Sequence, residues 1–270
     1  MRILLTNDDG IYAPGIEALY DALDGLGEIL VVAPSTVQSA TSHGITFAEP
    51  LMVETVKVND RWEGIAVDGR PADCVKLALR ALWSERYGPD SRPDITISGM
   101  NTGANVGINI LYSGTVGAAM ESAFLGVPAI AVSQHLVDRS ATCYTRAAEL
   151  AREAIDRVLA SAGGQLDPHD VMNINIPRTE TDDAPMPLIR VVEMNIAPGT
   201  DNYDRRVSPG GQVYYWPAGT GMEFTHTGPD TDVEALLQEC VTVTPLTYVV
   251  TDHVRLQTWK ERLAGAQVAK

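Results

Sequence analysis

Residues 2–34 read RILLTNDDGIYAPGIEALYDALDGLGEILVVAP. Ile3–Thr6 and Ile29–Ala33 are short apolar runs, each breaking into a polar loop marked by Gly or Pro, as buried strands do. Between them Ile16, Leu19, Leu23 and Leu26 recur at helical spacing, which predicts a helix over Pro14–Leu26. Strand, helix and strand at this length make a βαβ unit, and parallel sheets are assembled from such units.

The pattern continues outward. Ala72–Trp83 reads as an amphipathic helix, Ile95–Ser98 as a strand, Val116–Leu125 as a helix, and Ala129–Ser133 as a strand after Pro128. A long helix over Thr142–Ala162 and a strand at Val171–Ile176 follow. From Ile95 to Val137 the only formally charged side chain is Glu121, which suggests the centre of the sheet and the loop at its end. An α/β core with a mostly parallel sheet is therefore expected over residues 1–178.

The style changes after Pro177. Thr179–Gly228 is rich in Pro, Gly and polar residues, with β-like pieces at Ile189–Met194 and Gln212–Trp216. Its aromatic residues Tyr203, Tyr214, Tyr215 and Trp216 sit in a segment too polar to fold as a second core. An extended hairpin or arm used in oligomerisation is expected there, because exchange between protomers is an easy route to a symmetric dimer. Residues 229–270 are expected to return to the core or swap to a partner, with a helix at Thr231–Gln238, a strand at Cys240–Thr244 and a closing helix at Asp252–Leu263.

Composition narrows the function classes. The 270 residues carry 20 basic and 35 acidic side chains, a formal charge of −15, with 45% hydrophobic residues. At roughly 100–200 residues per domain this is one large domain or two modest ones. So acidic a surface repels duplex phosphates and argues against a nucleic-acid polymer as the main partner. A small anionic substrate remains compatible if a metal or backbone N–H groups supply local positive potential. Cys74, Cys143 and Cys240 form no CxxC, and their odd number suits reduced thiols in the cytoplasm. Acid at Asp8 and Asp9 comes too early for a signal peptide, and no apolar run of roughly 18 residues predicts a membrane span.

The strongest chemical signal is Thr6-Asn7-Asp8-Asp9-Gly10, at the carboxyl end of the first strand, where open parallel sheets bind ligands. Two adjacent carboxylates repel unless a cation lies between them or one takes a proton. Hard oxygens of this kind suit Mg²⁺ or Mn²⁺, and a capped turn is the competing reading of the same residues. A second loop, Ala33–Thr46, carries hydroxyls at Ser35, Thr36, Ser39, Thr41, Ser42 and Thr46, together with His43. By itself it reads as a solvated loop with a structural histidine. The third loop, Ser98–Gly107, joins glycines with Asn101 and Asn105, and Tyr112-Ser113-Gly114-Thr115 then opens a helix whose N–H groups favour phosphate. No Gly-Lys-Ser/Thr and no GxGxxG is present, so neither a P-loop nor a dinucleotide fingerprint applies. No Cys, Ser or His stands out as a covalent nucleophile.

Together the motifs become recognisable. ILLTNDDGIYAPGI (3–16), the VVAP loop with Gln38-Ser39, SGMNTGANVG (98–107) and YSGTVGAAMES (112–122) resemble the SurE family of 5′/3′-nucleotidases. So do PADCVKLAL (71–79), NINIP (173–177), TDVEAL (231–236) and VTVTPL (241–246), in order over nearly the whole chain. The resemblance implies a Rossmann-like three-layer core and a divalent-metal phosphomonoesterase acting on nucleoside monophosphates, with the attacking water activated by one Mg²⁺ or Mn²⁺ per subunit. Matched by motif, the metal ligands are Asp8, Asp9, Ser39 and Asn101. Asp8 and Asp9 are also the candidate catalytic residues, and Asn105, Ser113, Gly114 and Thr115 fall where the family gathers phosphate. The family also tends to homodimers or homotetramers with exchanged C-terminal arms. Departures are Ser35-Thr36-Val37 after Pro34, Ala40 where Gly is common, and Asp68-Gly69-Arg70-Pro71 where Ser-Gly-Thr-Pro is frequent. A haloacid-dehalogenase-like phosphatase is a rival reading, but its aspartates are spaced Asp-x-Asp. A non-enzymatic nucleotide-binding module is a second, opposed by the retention of every expected ligand.

Overall fold

In the computed structural model the N-terminal βαβ unit forms the middle of a nine-stranded sheet. The structure describes residues 1–136, 138, 141–219 and 221–268. Val137, Thr220 of the expected arm and the last two residues of the segment 229–270 lie outside the described residues.

The strands are β1 (Arg2–Thr6), β2 (Glu28–Pro34), β3 (Val53–Lys57), β4 (Glu63–Val67), β5 (Ile95–Thr102), β6 (Ala129–Gln134), β7 (Val171–Ile176), β8 (Ile189–Val191), β9 (Asn202–Val207), β10 (Val213–Ala218) and β11 (Val241–Leu246). The helices are α1 (Pro14–Ala22), α2 (Pro71–Leu77), α3 (Trp83–Tyr87), α4 (Gly114–Phe124), α5 (Tyr144–Ser161), α6 (Asp232–Leu237) and α7 (His253–Val268). The sheet order is β3-β4-β2-β1-β5-β6-β7-β11-β8. From β4 to β7 every pair is parallel, and β3 and β11 run antiparallel to their inner neighbours.

The two faces follow the period-two alternation of a strand. Ile3, Leu5, Val31 and Ile97 pack with Ile16 and Leu19 of α1 and Ile155 of α5. Leu4, Leu30 and Val32 point the other way, onto Cys74 and Val75 of α2 and Ala118 of α4. Helices thus cover both faces, giving three layers, and each fully buried aliphatic side chain contributes about 1.5–3 kcal/mol. Among the described residues no helix is long and apolar enough to cross a membrane.

Several elements differ from their sequence expectation. α1 ends at Ala22 rather than Leu26, because the chain turns through Gly25 at φ +76° while Leu23 stays buried. The helix expected at Ala72–Trp83 runs from Pro71 to Tyr87 through a π-helical turn at Ala78–Leu82. That turn matches the five-residue step between Ala78 and Trp83, which share one core cluster with Val75. β5 continues past Ser98 to Thr102, with a register shift against β6 between Ser98 and Asn101. β3 and β4 are additions to the expected elements, since β3 is an outer strand whose residues are mostly exposed. Within the segment expected to leave the core, Ile189–Val191 pairs in parallel with β11 at the sheet edge. The part that stands apart is the antiparallel hairpin β9–β10.

Candidate active site

Parallel strands all end on the same side, so the loops after β1, β2 and β5 meet at one edge. Asp8, Asp9, Ser39, Asn101, Asn105 and Ser113 line a single cavity of about 510 Å³ there. Thr102, Asn109, Tyr112 and His135 complete much of its wall.

Asp8, Asp9, Asn101, Asn105 and Ser113 are each held from behind. Asp8 is only 6% exposed, and its Oδ1 accepts a 2.5 Å hydrogen bond from the Thr115 hydroxyl. The start of α4 presses against it: a Cβ on Gly114 would stand 3.0 Å from both Asp8 Cβ and Oδ2, so glycine permits this approach. Ser113 caps α4 by accepting from the Val116 N–H at 3.1 Å. Asp9 Oδ2 accepts from the Thr102 N–H at 2.8 Å. The Asn101 amide nitrogen donates to the Gly103 carbonyl at 2.7 Å, which leaves its oxygen as the available ligand atom. The Gln38 N–H donates to the Asp8 carbonyl at 2.8 Å and ties the second loop to the end of β1.

Asn105 is fixed by strands β6 and β7. Its side-chain nitrogen donates to Ser133 Oγ at 2.8 Å and its N–H to Asn175 Oδ1 at 2.8 Å. Its carbonyl accepts from the amides of Asn173 at 2.8 Å and Asn175 at 3.1 Å.

Burial pushes the Asp8 carboxyl up to about 6; the Thr115 hydrogen bond lowers it and the Asp9 charge raises it further. Burial holds the His135 imidazole below its usual range. The donor set is therefore two adjacent carboxylates, one resisting ionisation, beside a neutral hydroxyl and amide oxygens. Among the described residues no group of three or more His, Cys, Asp or Glu is placed to hold a metal ion. All-oxygen donors of this kind fit Mg²⁺ or Mn²⁺, whereas zinc sites normally include His or Cys among their ligands.

The structure gathers the expected metal ligands, Asn105 and Ser113 on one cavity wall. Gly114 and Thr115 stand behind that wall, with the Thr115 hydroxyl committed to Asp8. Sequence pattern alone assigns no role to Thr102, Ser133, Asn173, Asn175 or His135. One signal is there to be read: Asn173 and Asn175 alternate with apolar residues in β7, and a buried strand keeps such amides only where they are hydrogen-bonded.

A family model described as Survival protein SurE matches residues 3–197. The chain is 40% identical over 273 residues to the 5′-nucleotidase SurE of Carboxydothermus hydrogenoformans, covering 98% of each chain. It is 42% identical over 272 residues to the 5′-nucleotidase SurE of Heliobacterium modesticaldum, covering 98% of this chain and 93% of that one. The fold is similar to the crystal structure of the SurE protein from Aquifex aeolicus, with TM-score 0.79 and 33% identity over 97% of this chain and 99% of that chain.

Proposed function

Because this chain belongs to the SurE family, we propose that it is a 5′-nucleotidase that hydrolyses nucleoside monophosphates to nucleoside and phosphate with a divalent metal, acting on 3′-monophosphates as well. The observation that carries the reading is the meeting of Asp8, Asp9, Ser39 and Asn101 with Asn105 and Ser113 in one cavity. A cation held by those four oxygen donors supplies a Lewis acid for a phosphoryl oxygen and lowers the pKa of water.

The chain's own groups supply the rest. Thr115 and the Thr102 N–H fix the two carboxylates, so little reorganisation is needed on binding. The Ser113 hydroxyl and the Asn105 side-chain amide line the cavity where charge spreads over the equatorial phosphate oxygens. One of the two aspartates accepts the proton of the attacking water.

The aromatic side chains of β9–β10 and Val254, Trp259 and Leu263 of α7 are exposed, and a second copy of the chain covers them in a dimer or tetramer with exchanged arms. All three cysteines are free, which suits the cytoplasm.

Phosphate release from a panel of nucleoside 5′- and 3′-monophosphates, with Mn²⁺ or Mg²⁺ and with a chelator, tests the reading. Metal-dependent release is expected. Activity that survives chelation, or no release with any nucleotide, overturns it.

A further inference from the structure

Two buried carboxylates lie outside the cavity and take no part in the chemistry above. Asp73 of α2 is 2% exposed and Glu121 of α4 is 4% exposed, and a buried carboxylate is costly unless it is paired. Both face the loop 38–46, the segment that carries Ser39. Glu121 Oε2 accepts from His43 Nε2 at 2.7 Å, and Lys76 of α2 lies 3.7 Å from its other oxygen, an ion pair beyond hydrogen-bond reach. Asp73 Oδ1 accepts from the Thr46 N–H at 2.8 Å and Oδ2 from the Thr46 hydroxyl at 2.7 Å.

Just before these two anchors, at Ser42, the loop lies on the first turn of α4 and on the residues that precede it. The Ser42 N–H donates to the Tyr112 carbonyl at 3.0 Å, and its hydroxyl to the Leu111 carbonyl at 2.6 Å. A Cβ on Gly117 would come within 2.4 Å of the Ser42 carbonyl oxygen, so helix and loop are in backbone contact. Ala40 and Ser42 hold φ of +56° and +54°. L-residues avoid that region and keep it only where the surroundings impose it.

We propose that His43 and Thr46, gripped by Glu121 and Asp73, are positioning residues that lash the loop 38–46 onto α4 and α2 and so hold the Ser39 hydroxyl in the cavity. This rests on the reading of Ser39 as a metal ligand. A neutral hydroxyl is a weak ligand and helps only if it is already in place when the cation arrives. His43 lies outside the cavity wall and acts through Ser39.

The test uses the full chain with His43→Ala, His43→Gln and Ser39→Ala. Amide hydrogen exchange over residues 38–46 is followed in chelator, and Mn²⁺ affinity is measured by titration calorimetry. His43→Ala is expected to speed exchange across the loop and weaken Mn²⁺ binding about 10-fold, the usual loss when an outer partner of a metal ligand is removed. His43→Gln, whose amide can still donate to Glu121, is expected to restore both. The proposal is overturned if His43→Ala exchanges and binds Mn²⁺ as the parent does, or if His43→Gln rescues neither. Ser39→Ala separates the two ideas: unchanged Mn²⁺ affinity there overturns the ligand reading, while the exchange measurement, made without metal, still judges the clamp.

Discussion

At the carboxyl edge of β1 and β5 the side chains are polar and buried: Thr6, Asn7 and Ser98 are 0% exposed and Asp8 6%. In the hairpin β9–β10 they are aromatic and exposed: Tyr203 is 64%, Tyr215 60% and Trp216 57%. Each region goes against the usual sorting of residues by solvent. Buried polar groups lower stability unless paired, so their presence at the sheet edge marks a place kept for chemistry. Exposed aromatics gain nothing from water, and the proposed oligomer would give those of the arm a partner to cover them. Under the proposed function, the contrast separates the region that would catalyse from the region that would assemble.

If that separation holds, damage to one region spares the other. The largest effect is expected from Asp9→Asn, which removes a negative charge from the proposed metal site while nearly keeping shape. Phosphate release should fall roughly 100- to 1000-fold, as the loss of several kcal/mol of metal assistance implies, with sedimentation unchanged. Deleting residues 201–217 should do the converse, giving monomers in sedimentation while the melting temperature of the core stays within a few degrees. An unchanged oligomer breaks the comparison.

Asp8→Asn probes what the buried charge costs. Its carboxyl is raised from 3.8 to about 6 in the fold, so proton binding favours the folded state. The stability this gives is complete below about pH 3.8 and is lost as pH rises through about 6. An amide mimics the protonated form. In chelator, the variant should therefore exceed the parent by roughly 3 kcal/mol at pH 8, with the gain vanishing by pH 4 in denaturant titrations. Equal stability at both pH values would show that the electrostatic cost is absent.

The smallest effect is expected at Ala40, whose φ of +56° disfavours a Cβ. Ala40→Gly should raise stability by about 1 kcal/mol in the same titrations. A loss instead would mean that the greater freedom of an unfolded glycine outweighs the relieved strain.

How far the sequence can be read depends on whether a residue's role is local. The βαβ unit is legible because apolar spacing records burial directly, and Val171–Ile176 matches to the residue for the same reason. Asp8 and Asp9 are legible because adjacent carboxylates at a strand end repel each other and stay together only with a cation or a proton between them. β3 is not: exposed on an outer strand, it carries little pattern, and its pairing to β4 supplies the order. Nor is the π-helical turn before Trp83, where the demand comes from packing rather than from the helix itself.

The sequence alone thus determined the α/β class and the polar loops at the strand ends, with the paired carboxylates Asp8 and Asp9 among them, since each is written in neighbouring positions. The tertiary structure alone decided that Thr115 orients Asp8 across 107 residues and that Asn175 carries Asn105 across 70. It also decided that Glu121 reaches His43 across 78. A hydrogen bond between segments so far apart leaves no periodic trace in either one, because what selects its two partners is the fold that brings them within about 3 Å.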